Sequence, residues 1–210
     1  MASLFIEGYE PETFNPERAA QDTWDSLCRV QAFKEGNFNF ASVPNATLKV
    51  EADELYKHPR EFLVVMSHFA LHPRVRDADV ITYVPDGMRP FMRVLSLVMN
   101  KPLAHVVRKL EAKSRYDFMF ASEEDEKLAF SAKRLLIGED VVTSLGSVAG
   151  VRKLLPAEQE VHSLALLLRG SVRDEYKKML TSDNYLLERE IPTDKDEFKA
   201  RIEAGWYKKH

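Results

Sequence analysis

Cysteine is nearly absent from this chain of 210 residues, since Cys28 is the only one. A single thiol excludes an internal disulfide and any metal site built from several cysteines. Long apolar runs are absent too: residues 62–66 and 164–168 are far shorter than a membrane span. No secretory signal pattern opens the sequence. We therefore expect a cytoplasmic protein without a membrane partner.

An excess of charge of one sign is also missing. The chain carries 30 Lys and Arg against 33 Asp and Glu, so its formal net charge is -3. No global basic field is available to attract nucleic acid, and we expect no nucleic-acid partner. Anionic small molecules would have to be bound locally, by clustered cations and helix ends. With 45% apolar and 30% charged residues, the composition is that of a globular domain with a sizeable core.

What the sequence does contain, from residue 60 onward, is an alternation of short apolar runs with helical patterns. Buried strands are predicted at residues 79–84, 103–107, 134–137 and 161–168. Helices are predicted beside and between them, at residues 60–71, 91–99 and 147–155. This order predicts a doubly wound α/β fold with a mainly parallel sheet covered on both sides. Such sheets bind ligands beyond the carboxyl ends of their strands, so the chemistry is expected there.

The stretch of residues 139–147 carries the clearest chemical pattern. Two adjacent carboxylates, Glu139 and Asp140, follow a predicted strand and can accept hydrogen bonds from vicinal ribose hydroxyls. The loop after them offers backbone N–H groups and three hydroxyl side chains, and then opens a helix whose N-terminus favours a phosphate. Sugar contacts at one end and phosphate contacts at the other indicate a phosphorylated ribose. A plain strand, polar turn and helix is the alternative interpretation.

This stretch resembles the phosphoribosyl pyrophosphate motif of type I phosphoribosyltransferases, which is a strand, two acids, two apolar residues and a Thr-Thr-Gly-Gly-Ser-like loop. The resemblance implies that the acidic pair, Glu139 and Asp140, holds the ribose, with Asp140 catalytic. It also implies that a phosphate loop binds the 5-phosphate, and this loop consists of Thr143, Ser144, Leu145, Gly146 and Ser147. Leu145 stands where the family usually has a glycine, the residue that adopts a positive φ angle most readily.

Two further segments support the resemblance and favour the orotate phosphoribosyltransferases. Residues 84–87 resemble the family's diphosphate loop, and residues 100–109 resemble the strand that follows. The residues after that strand are similar to the Arg-Lys-Glu-Ala-Lys that opens a mobile loop in that subfamily, with Leu110 inserted. The resemblance implies that the diphosphate is bound by Asp86, Gly87, Arg108, Lys109 and Lys113, with both lysines catalytic. A charged run of this kind can also be a solvated loop.

The base-recognition stretch of orotate enzymes is resembled by residues 38–43 and the strand after them. Ser42 matches that stretch, whereas Ala41 and Val43 replace its basic residue and its glycine. Arg169 follows the strand at residues 161–168, where those enzymes have an arginine that contacts the carboxylate of the base. A guanidinium fork suits a planar carboxylate. The resemblance therefore assigns Ser42 and Arg169 to the base, and a surface arginine that ends a strand is the alternative.

The resemblance as a whole implies transfer of a 5-phosphoribosyl group from phosphoribosyl pyrophosphate to a base, with orotate, and hence pyrimidine nucleotide biosynthesis, expected. It implies Mg²⁺, bound through the substrate without a direct protein ligand, and a homodimer. The expected parts are a helix and small hood at residues 1–59, an α/β core at 60–170 with a flexible loop near 109–133, and a helical extension at 171–210. Two alternatives stay open: an enzyme for another base, and a non-catalytic regulatory protein that binds the same ligand. The residues that favour the regulatory alternative are Leu145, Ala41, Val43 and Arg115.

Overall fold

The computed structural model describes residues 13–40, 44–85, 87–111, 114, 116–169, 185–187 and 191–205. Its helices are α1 (Pro16–Arg29), α2 (Pro59–Leu71), α3 (Pro73–Asp77), α4 (Arg89–Met99), α5 (Glu123–Ser131), α6 (Gly146–Arg152) and α7 (Lys195–Glu203), and a 3-10 helix spans Ala52–Lys57. Its strands are β1 (Phe33–Phe38), β2 (Ala46–Val50), β3 (Val80–Tyr83), β4 (Val106–Arg108), β5 (Phe118–Phe120), β6 (Arg134–Val142), β7 (Glu160–Leu168) and β8 (Tyr185–Leu187). No helix in these ranges is long and apolar enough to cross a bilayer.

A parallel sheet with the order β3-β6-β7-β8 forms the centre of the fold. An isolated parallel bridge between Ile81 and Leu103 extends it beyond β3. All four strands are connected by crossovers, as parallel strands require. The mixed α/β class and the parallel sheet are confirmed. The run predicted as a strand at residues 103–107 differs, because it adds only the bridge at Leu103 to this sheet and then enters β4, which pairs antiparallel with β5 in a separate sheet.

Both faces of the sheet are covered. Leu136 packs in one core with residues of α1, α2 and α4. Its neighbours Leu135 and Ile137 pack in a second core with residues of α5 and α6. Successive strand residues point to opposite faces, so this alternation separates two layers of helices. The doubly wound arrangement is therefore confirmed.

The hood consists of α1, the antiparallel hairpin of β1 and β2, and the 3-10 helix. Asn15 caps α1 by accepting a hydrogen bond from the N–H of Arg18, and Pro16 opens the helix as its position predicts. Phe33 of β1 packs 5.0 Å from Phe198 of α7, measured between ring centroids. The C-terminal helix therefore packs against the N-terminal hairpin.

Two regions differ from their predicted structure: one was expected to be a loop and the other a helical extension. The loop expected near residues 109–133 includes strand β5 and helix α5. Ser122 begins α5 by accepting a hydrogen bond from the N–H of Asp125, and the alternating burial of Phe118 and Phe120 specifies the strand. The extension expected to be helical at 171–210 supplies strand β8, whose Leu186 and Leu187 are buried at the sheet edge. Residues 170–184 and 188–190 lie outside the described residues.

Candidate active site at the carboxyl ends of the strands

The acidic pair lies within strand β6. We expected the strand to end at Ile137, but its ladder with β7 continues in register through the acidic pair to Val142, which lies opposite Leu168. Glu139 is buried, with 8% of its surface exposed, and Asp140 is partly exposed. The two carboxylates therefore occupy the carboxyl half of a central strand, where α/β sheets bind ligands.

The electrostatic environment disfavours two negative charges at this position. Burial raises the pKa of Glu139 well above its ordinary value of 4.5, the charge of Asp140 raises it further, and Arg108 opposes both. Burial also raises the pKa of Asp140, while a hydrogen bond of 2.7 Å from the N–H of Val141 lowers it. Ligand hydroxyl groups that donate to these carboxylates would replace the water lost on folding.

Gly87 brings the diphosphate loop, residues 84–87, against the acidic pair. A Cβ atom built on Gly87 would lie 2.4 Å from Oδ2 of Asp140, so a side chain at this position would displace the carboxylate of Asp140. The carbonyl of Gly138 accepts a hydrogen bond from the N–H of Val84, which ties the start of the loop to β6. The structure thus brings together two predicted site residues, Gly87 and Asp140, that are distant in the sequence. Asp86, also predicted, lies outside the described residues.

In the phosphate loop, residues 143–147, a leucine adopts a backbone conformation that glycine usually adopts. Leu145 has φ 63° and ψ 4°, in the left-handed region. A non-glycine residue there costs roughly 1–2 kcal/mol. Its side chain is buried in the core that contains α6, which compensates for this strain. The N-cap residue of α6 is Leu145, whose apolar side chain cannot accept a hydrogen bond from the first N–H groups of the helix.

Tyr116 covers the phosphate loop, and the sequence did not indicate this. A Cβ atom on Gly146 would lie 2.6 Å from Cζ of Tyr116 and 2.9 Å from its hydroxyl oxygen. The backbone of the same residue crowds α6, since a Cβ on Gly150 would lie 2.6 Å from the carbonyl oxygen of Tyr116. The two glycines of this helix therefore allow the loop before β5 to lie on it.

The structure describes only some of the cations predicted to bind the diphosphate. Arg108 ends β4 with its guanidinium carbon 5.6 Å from the ring centroid of Phe118, and its charge lowers the pKa of Glu139. Lys109 is exposed, and its backbone N–H donates to the carbonyl of Asp117. Lys113 lies outside the described residues. Of the predicted cations, the structure thus couples Arg108 electrostatically to the acidic pair.

Arg169 is buried at the end of β7 with 2% of its surface exposed. Its guanidinium carbon lies 3.8 Å from the ring centroid of Phe40, and its backbone N–H donates to the carbonyl of Val142. Burial lowers the pKa of Arg169 to about 10. Its Nε atom is buried without a hydrogen-bond partner, and no acidic side chain among the described residues forms an ion pair with it. Ser42, the other residue predicted for the base, lies outside the described residues.

Comparison with known proteins rests on structure. By sequence, no protein-family model and no curated relative matches the chain. By structure, it is similar to orotate phosphoribosyltransferase from Aeropyrum pernix, with a TM-score of 0.62 and 18% identity over 87% of this chain and 97% of that one. It is also similar to adenine phosphoribosyltransferase from Thermoanaerobacter pseudethanolicus, with a TM-score of 0.59 and 13% identity over 77% and 96% of the two chains. The chain has the type I phosphoribosyltransferase fold.

A third similarity extends to a longer protein. Leishmania donovani UMP synthase has a TM-score of 0.56 and 16% identity, and the match covers 90% of this chain but 39% of that one. The phosphoribosyltransferase fold is thus shared with orotate and adenine enzymes alike. At these identities the fold is the shared property, and the base has to be argued from the site itself.

Proposed function

We propose that this chain transfers a 5-phosphoribosyl group from phosphoribosyl pyrophosphate to orotate and releases diphosphate. The observation that carries the choice of base is the buried guanidinium of Arg169, which lies on the ring of Phe40 without a carboxylate partner among the described residues. A buried cation without a partner costs several kcal/mol. A planar, anionic base would supply the missing partner edge-on, while Phe40 covers one face of the guanidinium.

The acidic pair and the phosphate loop would hold the phosphoribosyl group. Glu139 and Asp140 accept hydrogen bonds from the two ribose hydroxyls, which orients C1 of the sugar towards the base. The phosphate loop, including the left-handed Leu145, directs its N–H groups and hydroxyls at the 5-phosphate. These contacts position the reacting carbon, which is the main catalytic contribution available to a reaction with a loose, oxocarbenium-like transition state.

The leaving diphosphate would be held by Asp86, Gly87, Arg108, Lys109 and Lys113. The cations among them stabilise the negative charge that develops as the bond to C1 breaks. In this proposal Asp140, Lys109 and Lys113 are the catalytic residues. We also propose a homodimer, as the resemblance to orotate enzymes implies, in which these lysines serve the neighbouring subunit.

Mg²⁺ fits this site as an ion that arrives with the substrate. No group of three or more His, Cys, Asp or Glu side chains in the described ranges could hold a metal ion. Two carboxylates remain at the site, and Mg²⁺ prefers a few carboxylates combined with phosphate oxygens and water. When bound, it would neutralise part of the diphosphate charge.

The test is a diphosphate-release assay with a panel of bases, Mg²⁺ and phosphoribosyl pyrophosphate. We expect release with orotate and none with adenine, because a neutral purine leaves Arg169 unpaired. Release with adenine alone would overturn the choice of base. Binding of phosphoribosyl pyrophosphate without release for any base would favour the regulatory alternative, for which the leucine at position 145 is the supporting observation.

A further inference from the structure

Tyr56 links the hood to the diphosphate loop. It belongs to the 3-10 helix Ala52–Lys57, which follows hood strand β2. Its hydroxyl donates a hydrogen bond to the carbonyl oxygen of Gly87. The bond therefore connects the hood to the loop that lies against Asp140.

The ring of Tyr56 is fixed by a chain of aromatic contacts. It packs edge-on against Phe62 of α2, with ring centroids 5.7 Å apart. Phe62 packs edge-on against Phe91 of α4 at 5.3 Å, and Phe91 against Phe69 of α2 at 5.0 Å. Phe69 and Phe91 are fully buried. The hydroxyl of Tyr56 is thus held in place by the core, and its bond to Gly87 does not rest on a mobile side chain.

The hydrogen bond from Tyr56 affects the site through Gly87. Its backbone lies so close to Asp140 that a Cβ atom would approach Oδ2 to 2.4 Å. The carbonyl of Gly87 and the N–H of Met88 belong to one planar peptide, so fixing the carbonyl also fixes the direction of that N–H. A tilt of this peptide would change both the spacing to Asp140 and the donors that the loop offers to an anion.

We infer that Tyr56 is a positioning residue that holds the Gly87 peptide against Asp140 and so preorganises the diphosphate loop for its ligand. The inference rests on the proposed function, because the ligand of that loop is the diphosphate of phosphoribosyl pyrophosphate. No contact between Tyr56 and the substrate is required. The residue acts through Gly87, and the cost of ordering the loop is met on folding instead of on binding.

The surroundings of Tyr56 keep its hydroxyl in the donating form. Burial raises the pKa of Tyr56 above its ordinary value, and the charges of Asp140 and Asp53 raise it further. A phenolate could not donate to a carbonyl, whereas the neutral phenol can at any physiological pH. Burial, Asp140 and Asp53 therefore all favour the neutral phenol of Tyr56 that the loop needs.

The test is Tyr56→Phe, which removes the hydroxyl and keeps the aromatic packing. We expect the affinity for inorganic diphosphate and for phosphoribosyl pyrophosphate, measured calorimetrically with Mg²⁺, to fall roughly 3–10-fold, the range of one neutral hydrogen bond. The KM for phosphoribosyl pyrophosphate should rise by the same factor, with kcat and the KM for the base changed less than about twofold. In the free protein, the peptide covering residues 84–91 should exchange its amide hydrogens faster.

Two controls separate positioning from general damage. Ribose 5-phosphate would use the acidic pair and the phosphate loop but not the diphosphate loop, so its affinity should stay within about twofold. Tyr83→Phe also removes a tyrosine hydroxyl, one that forms a hydrogen bond of 3.0 Å with Nδ1 of His105. This variant should leave the affinity for diphosphate unchanged. Unchanged diphosphate affinity in Tyr56→Phe, or an equal loss for ribose 5-phosphate, would overturn the inference alone. A wild-type chain that binds none of the three ligands would overturn the proposed function, and this inference with it.

Discussion

The acidic pair and the phosphate loop come from one continuous stretch of chain. Arg169 and Phe40, by contrast, are distant in the sequence: Arg169 follows a strand of the central sheet, and Phe40 belongs to the hood. The first region is held by the β6–β7 ladder and by a loop that leads directly into α6. The second depends on one stacking contact between an arginine that follows β7 and an aromatic residue after β1. In the proposed function the first region is the phosphoribosyl side, a local structure on a central sheet, and the second is the base side, a tertiary contact.

This difference indicates where specificity is set. The sheet that carries the first region belongs to the fold that this chain shares with orotate and adenine enzymes. A contact between a hood residue and a strand end can change without disturbing the sheet. We therefore expect changes on the phosphoribosyl side to affect every base, and changes on the base side to affect one class of base.

Arg169→Ala should have the largest effect. Removing one partner of a buried ion pair typically costs 2–5 kcal/mol, so kcat/KM for orotate should fall about 100-fold or more. Binding of phosphoribosyl pyrophosphate, measured by calorimetry, should change less than about twofold, because its proposed contacts lie on β6, in the phosphate loop and in the diphosphate loop. Arg169→Lys is the matched variant: it keeps the charge, loses the planar fork, and should lose about 10-fold. Equal losses for both ligands would show that the two sides are not independent.

Asp140→Asn tests the phosphoribosyl side. Losing charge-assisted hydrogen bonds to the ribose hydroxyls should cost about 1.5–3 kcal/mol of affinity for phosphoribosyl pyrophosphate, whichever base is used. Asp79→Asn is the control, because the carboxylate of Asp79 accepts from the N–H of Arg134 at the opposite end of β6. Calorimetry should show a change of less than about twofold for that variant. If Asp140→Asn binds phosphoribosyl pyrophosphate as tightly as the wild type, the acidic pair does not bind the ribose.

The same contrast explains how much of the molecule the sequence could predict. The parallel sheet follows from runs such as residues 161–168, whose apolar character on both faces is a local property. The position of the acidic pair follows from its own neighbours in sequence, although the strand runs on past it because the ladder with β7 continues. The left-handed backbone of Leu145 agrees with the glycine that related motifs have at that position.

What the sequence did not predict depends on contacts between distant segments. Tyr116 on Gly146, Tyr56 on Gly87 and the stacking of Phe40 on Arg169 each join residues whose spacing carries no periodic signal. Strand β8 was missed because a three-residue run becomes a strand only when it is paired with β7. The roles of the named site residues stay predictions, and the variants described here test them.

Glu139→Gln should stabilise the protein without ligand. The pKa of Glu139 is raised in the folded state, so the folded protein retains a proton that the unfolded chain loses near 4.5. The wild type is therefore most stable, relative to the variant, below that pH, and it loses stability as pH rises towards the folded pKa. The variant does not titrate there, so denaturant unfolding at pH 8 should show a higher free energy of unfolding than for the wild type, and no gain at pH 4. A gain that is equal at both pH values would contradict burial of the charge as its cause.

Leu145→Gly compared with Leu145→Ala tests the smallest effect, the strain in the phosphate loop. Both variants remove the same buried side chain from the core around α6, but only glycine adopts φ 63° without cost. The glycine variant should therefore be more stable than the alanine variant by about 1 kcal/mol, measured by denaturant unfolding. At Val148, which is also buried and lies within α6, the same two substitutions should give the opposite order, because glycine in a helix costs about 1 kcal/mol relative to alanine. If alanine is the more stable replacement at both positions, Leu145 stores no strain, and the phosphate loop is as relaxed as the helix that follows it.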